Sequence, residues 1–276
     1  MDPLGSPSTD QAIPSEADLW PTALTDVDRD LIAVRGYPIQ ELMGRTSFAE
    51  VIWLIFMGDL PDAPTVRLLD AVFVASIDHG PAAPSANASR LVASTGAEPG
   101  HAAAAGLMAI GRYHGGSLAP AMGILEDVVA RHRAGAPLAR AARDVVDEWR
   151  GRGERVLGFG HRLHPVDPRV ERLFAIADEL GFHSLYVDGA REVERALNDK
   201  AGRPIPMNLD GAIAAIFCGL GLPASMGNSM FMIARFVGLN AQAHEEQTRM
   251  RPMRRIHPDR CRYDGPALRH LADGAT

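Results

Sequence analysis

The protein has 276 residues, 46% of them hydrophobic, so it can bury a substantial core in one large domain or two smaller ones. Its formal charge of −6 and isoelectric point near 5.9 argue against a nucleic-acid-binding protein, which usually carries a basic surface. The two cysteines, Cys218 and Cys261, lie far apart, so neither a zinc cage nor a disulfide framework is indicated. We expect a reducing, cytoplasmic setting.

The N-terminal residues 1–20 contain little that a folded core could bury, because prolines and small polar residues interrupt them. We expect a poorly ordered segment there, and it lacks the basic-then-apolar pattern of a signal peptide. The most apolar windows, 51–57 and 212–222, are shorter than the roughly 20 residues that span a bilayer. The sequence therefore predicts a soluble protein that does not enter a membrane.

Apolar residues recur at helical spacing along most of the chain, which predicts an all-α fold. Ser47 and Glu50 form a possible capping box at the start of a helix that Gly58 ends. Asp167 and Pro168 resemble an N-cap and a first helical residue. Further helices are predicted at 64–77, 101–112, 137–150, 190–199, 208–220 and 223–238. Strand-like alternation is rare and short.

A histidine and an aspartate stand beside glycines at two separate places. His114 precedes Gly115 and Gly116, so the backbone can turn sharply and offer the imidazole to a ligand oxygen. An ordinary turn histidine would have the same neighbours. Asp210 follows Asn208 before an apolar run, where an acid commonly stabilises a helix terminus. If a ligand covered it, the same carboxylate could act as a base towards a carbon-bound proton.

The run Gly-Phe-Gly-His at 158–161 resembles a glycine loop that lets backbone amides approach a ligand. It lacks the spacing of either nucleotide-binding fingerprint. His161 and His164 could form a metal pair, but no third ligand lies at an informative spacing. We therefore expect no metal.

Two arginines occupy positions that require a partner. Arg169 follows a predicted N-cap, where it could bind an anion together with the helix terminus or form a plain salt bridge. Arg235 lies within an apolar helix and needs a partner or a ligand. Asp78 and His79 precede a glycine- and proline-rich loop at 80–84. Together with the histidines and Asp210, these groups favour an enzyme that acts on a carbon beside a carbonyl group.

These fragments, in this order, resemble the citrate synthase superfamily over about residues 31 to 265. The matching segments are 34–39, 48–61, the His-Gly-Gly run 114–116, 158–161 with 167–169, and the Asn-Leu-Asp run 208–210. The segments 78–96 and 251–255 are more similar to the short citryl-CoA lyases of that superfamily.

The resemblance implies a mostly helical homodimer with two domains. A large domain, shortened at its N-terminal part, would comprise residues 21–116 and 223–276, and a small domain would comprise 117–222. The active site would lie in the cleft between them and be completed across the subunit interface. The ligands would be a coenzyme A thioester and a 2-oxo dicarboxylate, with no permanently bound cofactor.

The resemblance also implies a role for individual residues. His114 would polarise the thioester carbonyl and hold its enolate, His161 would serve the oxaloacetate carbonyl oxygen or the matching hydroxyl, and Asp210 would exchange the proton at carbon. The implied substrate-binding residues are His79, Arg169, Arg235, Phe231 and His257. The implied coenzyme A contacts are Leu157, Gly158, Phe159, Gly160 and Asn208.

One departure from the superfamily concerns its arginine-proline-arginine motif near the C-terminus, whose first arginine reaches the partner subunit's substrate. The equivalent stretch here contains His257, and a histidine holds a carboxylate less firmly than a bidentate arginine does. The arginines that could substitute are Arg254, Arg255, Arg260 and Arg262.

The expected function is that of a citryl-CoA lyase-like enzyme, which cleaves citryl-CoA or a related 3-hydroxy-3-carboxyacyl-CoA to acetyl-CoA and a 2-oxo acid. One alternative is condensation of the citrate or 2-methylcitrate synthase type, which also hydrolyses the acyl-CoA intermediate. Others are a non-catalytic coenzyme A-binding paralogue, a lyase module that needs partner proteins, and a metal-dependent lyase.

Overall fold

A computed structural model describes residues 21–160, 167–199, 201–202 and 204–270 of the chain. These residues form eleven α-helices, one 3₁₀ turn at Pro258–Arg260 and one small sheet, which confirms the all-α prediction. The helices are α1 (Ile39–Leu42), α2 (Phe48–Met57), α3 (Ala63–Ser76), α4 (Pro84–Ala93), α5 (Pro99–Met108), α6 (Leu118–Arg133), α7 (Leu138–Gly151), α8 (Pro168–Glu179), α9 (Leu185–Asn198), α10 (Leu209–Gly219) and α11 (Ala224–Arg249).

A three-stranded antiparallel sheet precedes the main helices. Its strands are β1 (Thr25–Asp28), β2 (Leu31–Val34) and β3 (Tyr37–Pro38), hydrogen-bonded in the order β1-β2-β3. The sheet was not predicted, because strands this short give almost no alternating pattern. Arg35 joins the sheet to α2, since its Nε and one terminal nitrogen donate to the Ile55 carbonyl at 3.1 and 2.7 Å.

The helix starts at which the sequence indicates capping residues, those of α2 and α8, agree with the structure, whereas α9 begins at Leu185 behind the N-cap Ser184 and not at 190. Ser47 and Glu50 form the predicted capping box of α2, and Asp167 accepts a hydrogen bond from the Arg169 amide at the start of α8. Three helices, α1, α4 and α6, were not predicted. The glycine- and proline-rich stretch before α4 indicates a loop, yet Pro84 is the first residue of that helix, where a missing N–H costs nothing.

The helix α10 forms the centre of the core and packs against α6, α8, α9 and α11. Every residue from 212 to 217 is fully buried. The helices α4 and α5 pack together against α11. Among the described residues, the structure contains no helix with both the length and the apolar character needed to cross a membrane.

The C-terminal half of α11 is buried through a charged network rather than an apolar stripe. Glu246 is 1% exposed and accepts hydrogen bonds from Arg90 of α4 at 2.8 Å and from Arg254 at 2.7 and 2.8 Å. Gln242 accepts from Arg90 at 2.6 Å and donates to Asp78 at 3.1 Å. The network therefore connects the C-terminal segment to the loop before α4. It also explains why the predicted helix stopped at 238, since the buried Gln242 and Glu246 interrupt the apolar periodicity of this face.

Replacing Glu246 by Gln should lower the free energy of unfolding by about 3 kcal/mol at pH 7, because two arginines would lose the carboxylate that they share. Hydrogen bonds from Arg254 hold the pKa of Glu246 below its usual range against the effect of burial, and Arg90 adds to this. The difference between variant and wild type should therefore shrink as the pH falls below the ordinary value of 4.5.

Urea denaturation at several pH values measures both effects. The control is Glu179→Gln, which changes an exposed pair with Arg172 and should alter stability little. A Glu246→Gln protein as stable as this control at pH 7 would contradict the prediction.

Candidate active site

The turn between α5 and α6 presents His114. The Gly111 amide donates to the His114 carbonyl and the His114 amide donates to the Gly111 carbonyl, each at 2.8 Å. Gly115 follows with a φ of +69°, which a glycine adopts without strain. This tight turn directs the imidazole towards α4, where its Nε2 lies 3.2 Å from the Ser85 amide and 2.8 Å from the Ser85 hydroxyl.

The contact with Ser85 selects the tautomer of His114. A backbone amide can only donate, so Nε2 accepts and the neutral ring carries its proton on Nδ1. The donating amide belongs to the first turn of α4, where helix amides have no partner within the helix. Sequence reasoning did not single out Ser85 as a site residue, because its partner is 29 positions away and α4 itself was not predicted.

The start of α10 holds Asp210. The Asn208 side-chain oxygen accepts from the amides of Asp210 and Gly211 at 3.0 and 3.2 Å, and its nitrogen donates to the Gly160 carbonyl at 3.0 Å. One side chain therefore caps the helix and binds the glycine loop. The Ser117 hydroxyl donates to Oδ2 of Asp210, another contact that no local pattern in the sequence indicates.

The glycine loop lies directly against the start of α10. Gly158 has a φ of +89°, and a Cβ at this position would lie 2.9 Å from the Cα of Gly211. The Asn208 amide donates to the Gly158 carbonyl at 3.1 Å, and the Gly160 amide donates to the Pro206 carbonyl at 2.6 Å. The structure thus brings the loop and the Asn-Leu-Asp run together as one unit.

The neighbours Leu157 and Phe159 anchor this loop. Phe159 is 6% exposed and belongs to the main core, and Leu157 is partly buried and packs against that core. The loop backbone is therefore held at both sides of Gly158. Its contact with coenzyme A stays a prediction.

Arg235 lies buried on α11 beside Phe231. Its guanidinium carbon is 4.7 Å from the centre of the Phe231 ring, and its Nε donates to the Ser76 carbonyl at 2.8 Å. Burial lowers the pKa of Arg235, the charges of Asp78 and Asp210 oppose this, and the charge of Arg169 adds to it. Asp78, Asp210 and Arg169 therefore all lie within electrostatic reach of Arg235.

Arg169 makes the salt bridge that the sequence left open as an alternative. Its Nε and one terminal nitrogen donate to the two carboxylate oxygens of Asp167 at 2.9 and 2.7 Å. Asp167 is 2% exposed, whereas the Arg169 side chain is 27% exposed. The pair orients the guanidinium while leaving part of it accessible, so anion binding is compatible with the salt bridge.

The remaining predicted site residues lie at the surface or outside the described residues. His257 is exposed, and its Nδ1 lies 3.2 Å from a carboxylate oxygen of Asp259. His79 is exposed beside Asp78. His161 and His164 lie outside the described residues. Within the described parts of the chain, no three side chains of the metal-ligating types His, Cys, Asp and Glu form a cluster.

Arg254, one of the arginines considered as a substitute for the family's C-terminal arginine, is already engaged. Both of its donating nitrogens contact the buried Glu246 carboxylate. The Nη1 group of Arg254 takes no part in this contact and the side chain is 47% exposed, so anion binding is compatible with this ion pair, as it is for Arg169.

An all-α fold that joins a turn histidine, a glycine loop and a helix-terminal aspartate defines the class of this protein. The family model described as citrate synthase, C-terminal domain, matches residues 61–258, and the chain belongs to the citrate synthase family. Family membership and the likeness to a citryl-CoA lyase confirm the predicted enzyme of lyase or acyltransferase type.

Two curated relatives illustrate the family likeness. The chain is 34% identical over 193 residues to putative citrate synthase 2 of Mycobacterium tuberculosis, covering 68% of this chain and 49% of that protein. It is 30% identical over 230 residues to the citrate synthase of Helicobacter pylori, covering 79% of this chain and 50% of that protein. The chain therefore spans about half the length of these relatives.

Two solved structures share the fold, and one of them is matched over nearly its whole length. The citryl-CoA lyase of Hydrogenobacter thermophilus is 35% identical with a TM-score of 0.84, and the match covers 92% of this chain and 98% of that one. The ATP citrate lyase of Methanothrix soehngenii, solved with citrate and coenzyme A, is 21% identical with a TM-score of 0.80 over 94% of this chain and 43% of that one. The second likeness supports the fold alone.

Replacing Gly158 by Ala should lower the free energy of unfolding by about 2 to 3 kcal/mol, because a positive φ and a backbone clash with Gly211 act together. Gly153→Ala is a matched control, since Gly153 has a φ of +71° with no atom within 4 Å of the added Cβ. Its cost should be about 1 kcal/mol. Urea denaturation of both variants measures the difference, and equal losses would show that the close approach is unimportant.

Proposed function

We propose that this protein is a citryl-CoA lyase-like enzyme, which cleaves citryl-CoA or a related 3-hydroxy-3-carboxyacyl-CoA to acetyl-CoA and oxaloacetate or another 2-oxo acid. The observation that carries the proposal is that Arg235 lies within electrostatic reach of both Asp210 and Arg169, while His114 comes three residues before Ser117, whose hydroxyl donates to Asp210. The likeness to a citryl-CoA lyase over nearly that protein's whole length favours cleavage over condensation.

Cleavage begins with removal of the proton from the hydroxyl group at C3 of citryl-CoA, a role that the resemblance assigns to His161. The bond to the methylene carbon then breaks, the C3 oxygen becomes a carbonyl, and the electron pair forms the enolate of acetyl-CoA. The Nδ1–H of His114 donates to the enolate oxygen, since the Ser85 amide occupies Nε2. Asp210 delivers a proton to the carbon and completes acetyl-CoA.

The charges around Arg235 fit a dicarboxylate. Arg235 and Arg169 repel each other, as the lowering effect of Arg169 on the pKa of Arg235 indicates. A bound 2-oxo dicarboxylate would neutralise this repulsion and accept charge-assisted hydrogen bonds from both groups. The ring of Phe231 lies against the Arg235 guanidinium.

Coenzyme A binding belongs to the same proposal. The glycine loop from Leu157 to Gly160 and the side chain of Asn208 form the wall next to Asp210 where the thioester would lie. A relative of the same fold was solved with coenzyme A. The thioester is substrate and product rather than a resident cofactor.

The proposal includes the organisation expected from the resemblance. A large domain of residues 21–116 and 223–276 and a small domain of 117–222 would enclose the site, and a second copy would complete it. His257 and the exposed arginines of the C-terminal segment are the groups available for such a contribution. The cytoplasmic setting, also proposed, agrees with two free thiols, one buried and one exposed.

Replacing Asp210 by Asn should reduce the rate of citryl-CoA cleavage about 1,000-fold, because an amide cannot transfer the proton to carbon. The matched control is Asp188→Asn, which makes the same change in the first turn of α9 and should leave the rate unchanged. Formation of oxaloacetate, followed with malate dehydrogenase and NADH, measures both rates. Normal activity of Asp210→Asn would support a non-catalytic role for this carboxylate.

Replacing Arg235 by Lys should lower kcat/KM for citryl-CoA about 100-fold, mainly through KM, because a lysine lacks the planar fork that binds a carboxylate. The control Arg140→Lys alters an exposed helix arginine and should have no effect. The same assay over a range of substrate concentrations separates KM from kcat. An unchanged KM would contradict a carboxylate-binding role.

Condensation of the citrate synthase type is distinguished by its products. Acetyl-CoA with oxaloacetate should release free coenzyme A, detected with a thiol reagent, only if the enzyme also hydrolyses the acyl-CoA intermediate. If citryl-CoA yields oxaloacetate and no free coenzyme A is released by hydrolysis of the thioester, the result supports the lyase reaction. Dependence of either reaction on a divalent metal, tested with a chelator, would contradict both proposals.

A further inference from the structure

Ser117 occupies the N-cap of α6 but does not cap it. An N-cap serine usually accepts a hydrogen bond from an amide two or three residues ahead, which stabilises the helix by about 1 kcal/mol. Ser117 has a φ of −89° and a ψ of −8°, and its side chain makes no capping hydrogen bond. Its hydroxyl instead donates to Oδ2 of Asp210 on α10.

Another helix provides the missing cap. The side-chain oxygen of Asn228 on α11 accepts from the Ala119 amide at 3.3 Å, so one first-turn amide of α6 is satisfied from outside. The hydroxyl of Ser117 therefore does not have to cap α6. It is oriented towards Asp210, 93 positions along the chain, and donates its hydrogen bond there.

The two oxygens of the Asp210 carboxylate have different surroundings. Oδ2 receives the Ser117 hydroxyl, while Oδ1 has no hydrogen-bond partner among the described residues. A carboxylate that exchanges a proton with carbon needs one oxygen directed at that carbon. The other oxygen must be fixed by a hydrogen bond, because rotation about Cβ–Cγ would otherwise move the first oxygen out of line with the carbon.

We propose that Ser117 is a positioning residue, which fixes the plane of the Asp210 carboxylate so that Oδ1 faces the reacting carbon. This inference rests on the proposed function, because it needs Asp210 to act in proton transfer. In this proposal Ser117 acts only through its hydrogen bond to Asp210. A misplacement of a catalytic group by about 1 Å can cost on the order of 100-fold in rate.

The test compares two serines at helix N-caps. Ser117→Ala should lower kcat for citryl-CoA cleavage about 10- to 100-fold, keep KM within about twofold and leave the melting temperature nearly unchanged. Ser47→Ala removes a hydroxyl that does cap a helix, since it accepts from the Glu50 amide at 3.2 Å. This control should lower the melting temperature and leave kcat unchanged.

Two further measurements separate positioning from a structural role. Ser117→Thr keeps the hydroxyl and should restore most of kcat. Exchange of the methyl hydrogens of acetyl-CoA with D₂O in the presence of oxaloacetate, followed by mass spectrometry, reports the Asp210 step alone and should slow as much as kcat does in Ser117→Ala. A loss of kcat with normal exchange would overturn the inference.

The remaining outcomes distinguish this inference from the proposed function. An active wild type with an equally active Ser117→Ala overturns the inference and leaves the proposed function intact. A wild type that neither cleaves citryl-CoA nor exchanges the methyl hydrogens overturns both. If Ser117→Ala does not fold, Ser117→Cys keeps the size and removes the strong donor, and a kcat equal to wild type would overturn the inference.

Discussion

The start of α10 is the constraint on which the site depends. Because this helix is the most buried element, its first amides cannot turn to water, and the side chain of Asn208 satisfies two of them. The same side chain holds the Gly160 carbonyl, and Gly158 can approach Gly211 only because neither carries a side chain. Burying the helix therefore also fixes the position of Asp210 beside the glycine loop.

Starts of other helices contribute the remaining groups. The first turn of α4 provides the Ser85 amide, which sets the tautomer of His114. The N-cap residue of α6, Ser117, provides the hydroxyl that donates a hydrogen bond to Asp210. The N-cap of α8 provides the carboxylate that orients Arg169. Helix N-termini offer unpaired donors and a favourable field for anions, which suits the proposed reaction of carboxylates and an enolate.

The long helix α11 links the site to the C-terminal segment. Its first half carries Phe231 and Arg235 beneath the site, and its second half carries the buried Glu246, which holds Arg90 and Arg254. Gln242 completes the connection through its hydrogen bond to Asp78, whose charge acts on Arg235. The C-terminal segment is therefore connected to Arg235 through Glu246, Arg90, Gln242 and Asp78.

The sequence by itself determined the helical class, the capped helix starts at Ser47 and Asp167, and the family, because caps, apolar periodicity and motif order are local or sequential patterns. It did not indicate α4, the polar half of α11, or the partners that Ser85 and Ser117 find. Those depend on hydrogen bonds between residues 29 and 93 positions apart, and on buried charges that replace an apolar face. Such contacts form only when packing removes water from groups that must then find partners within the protein.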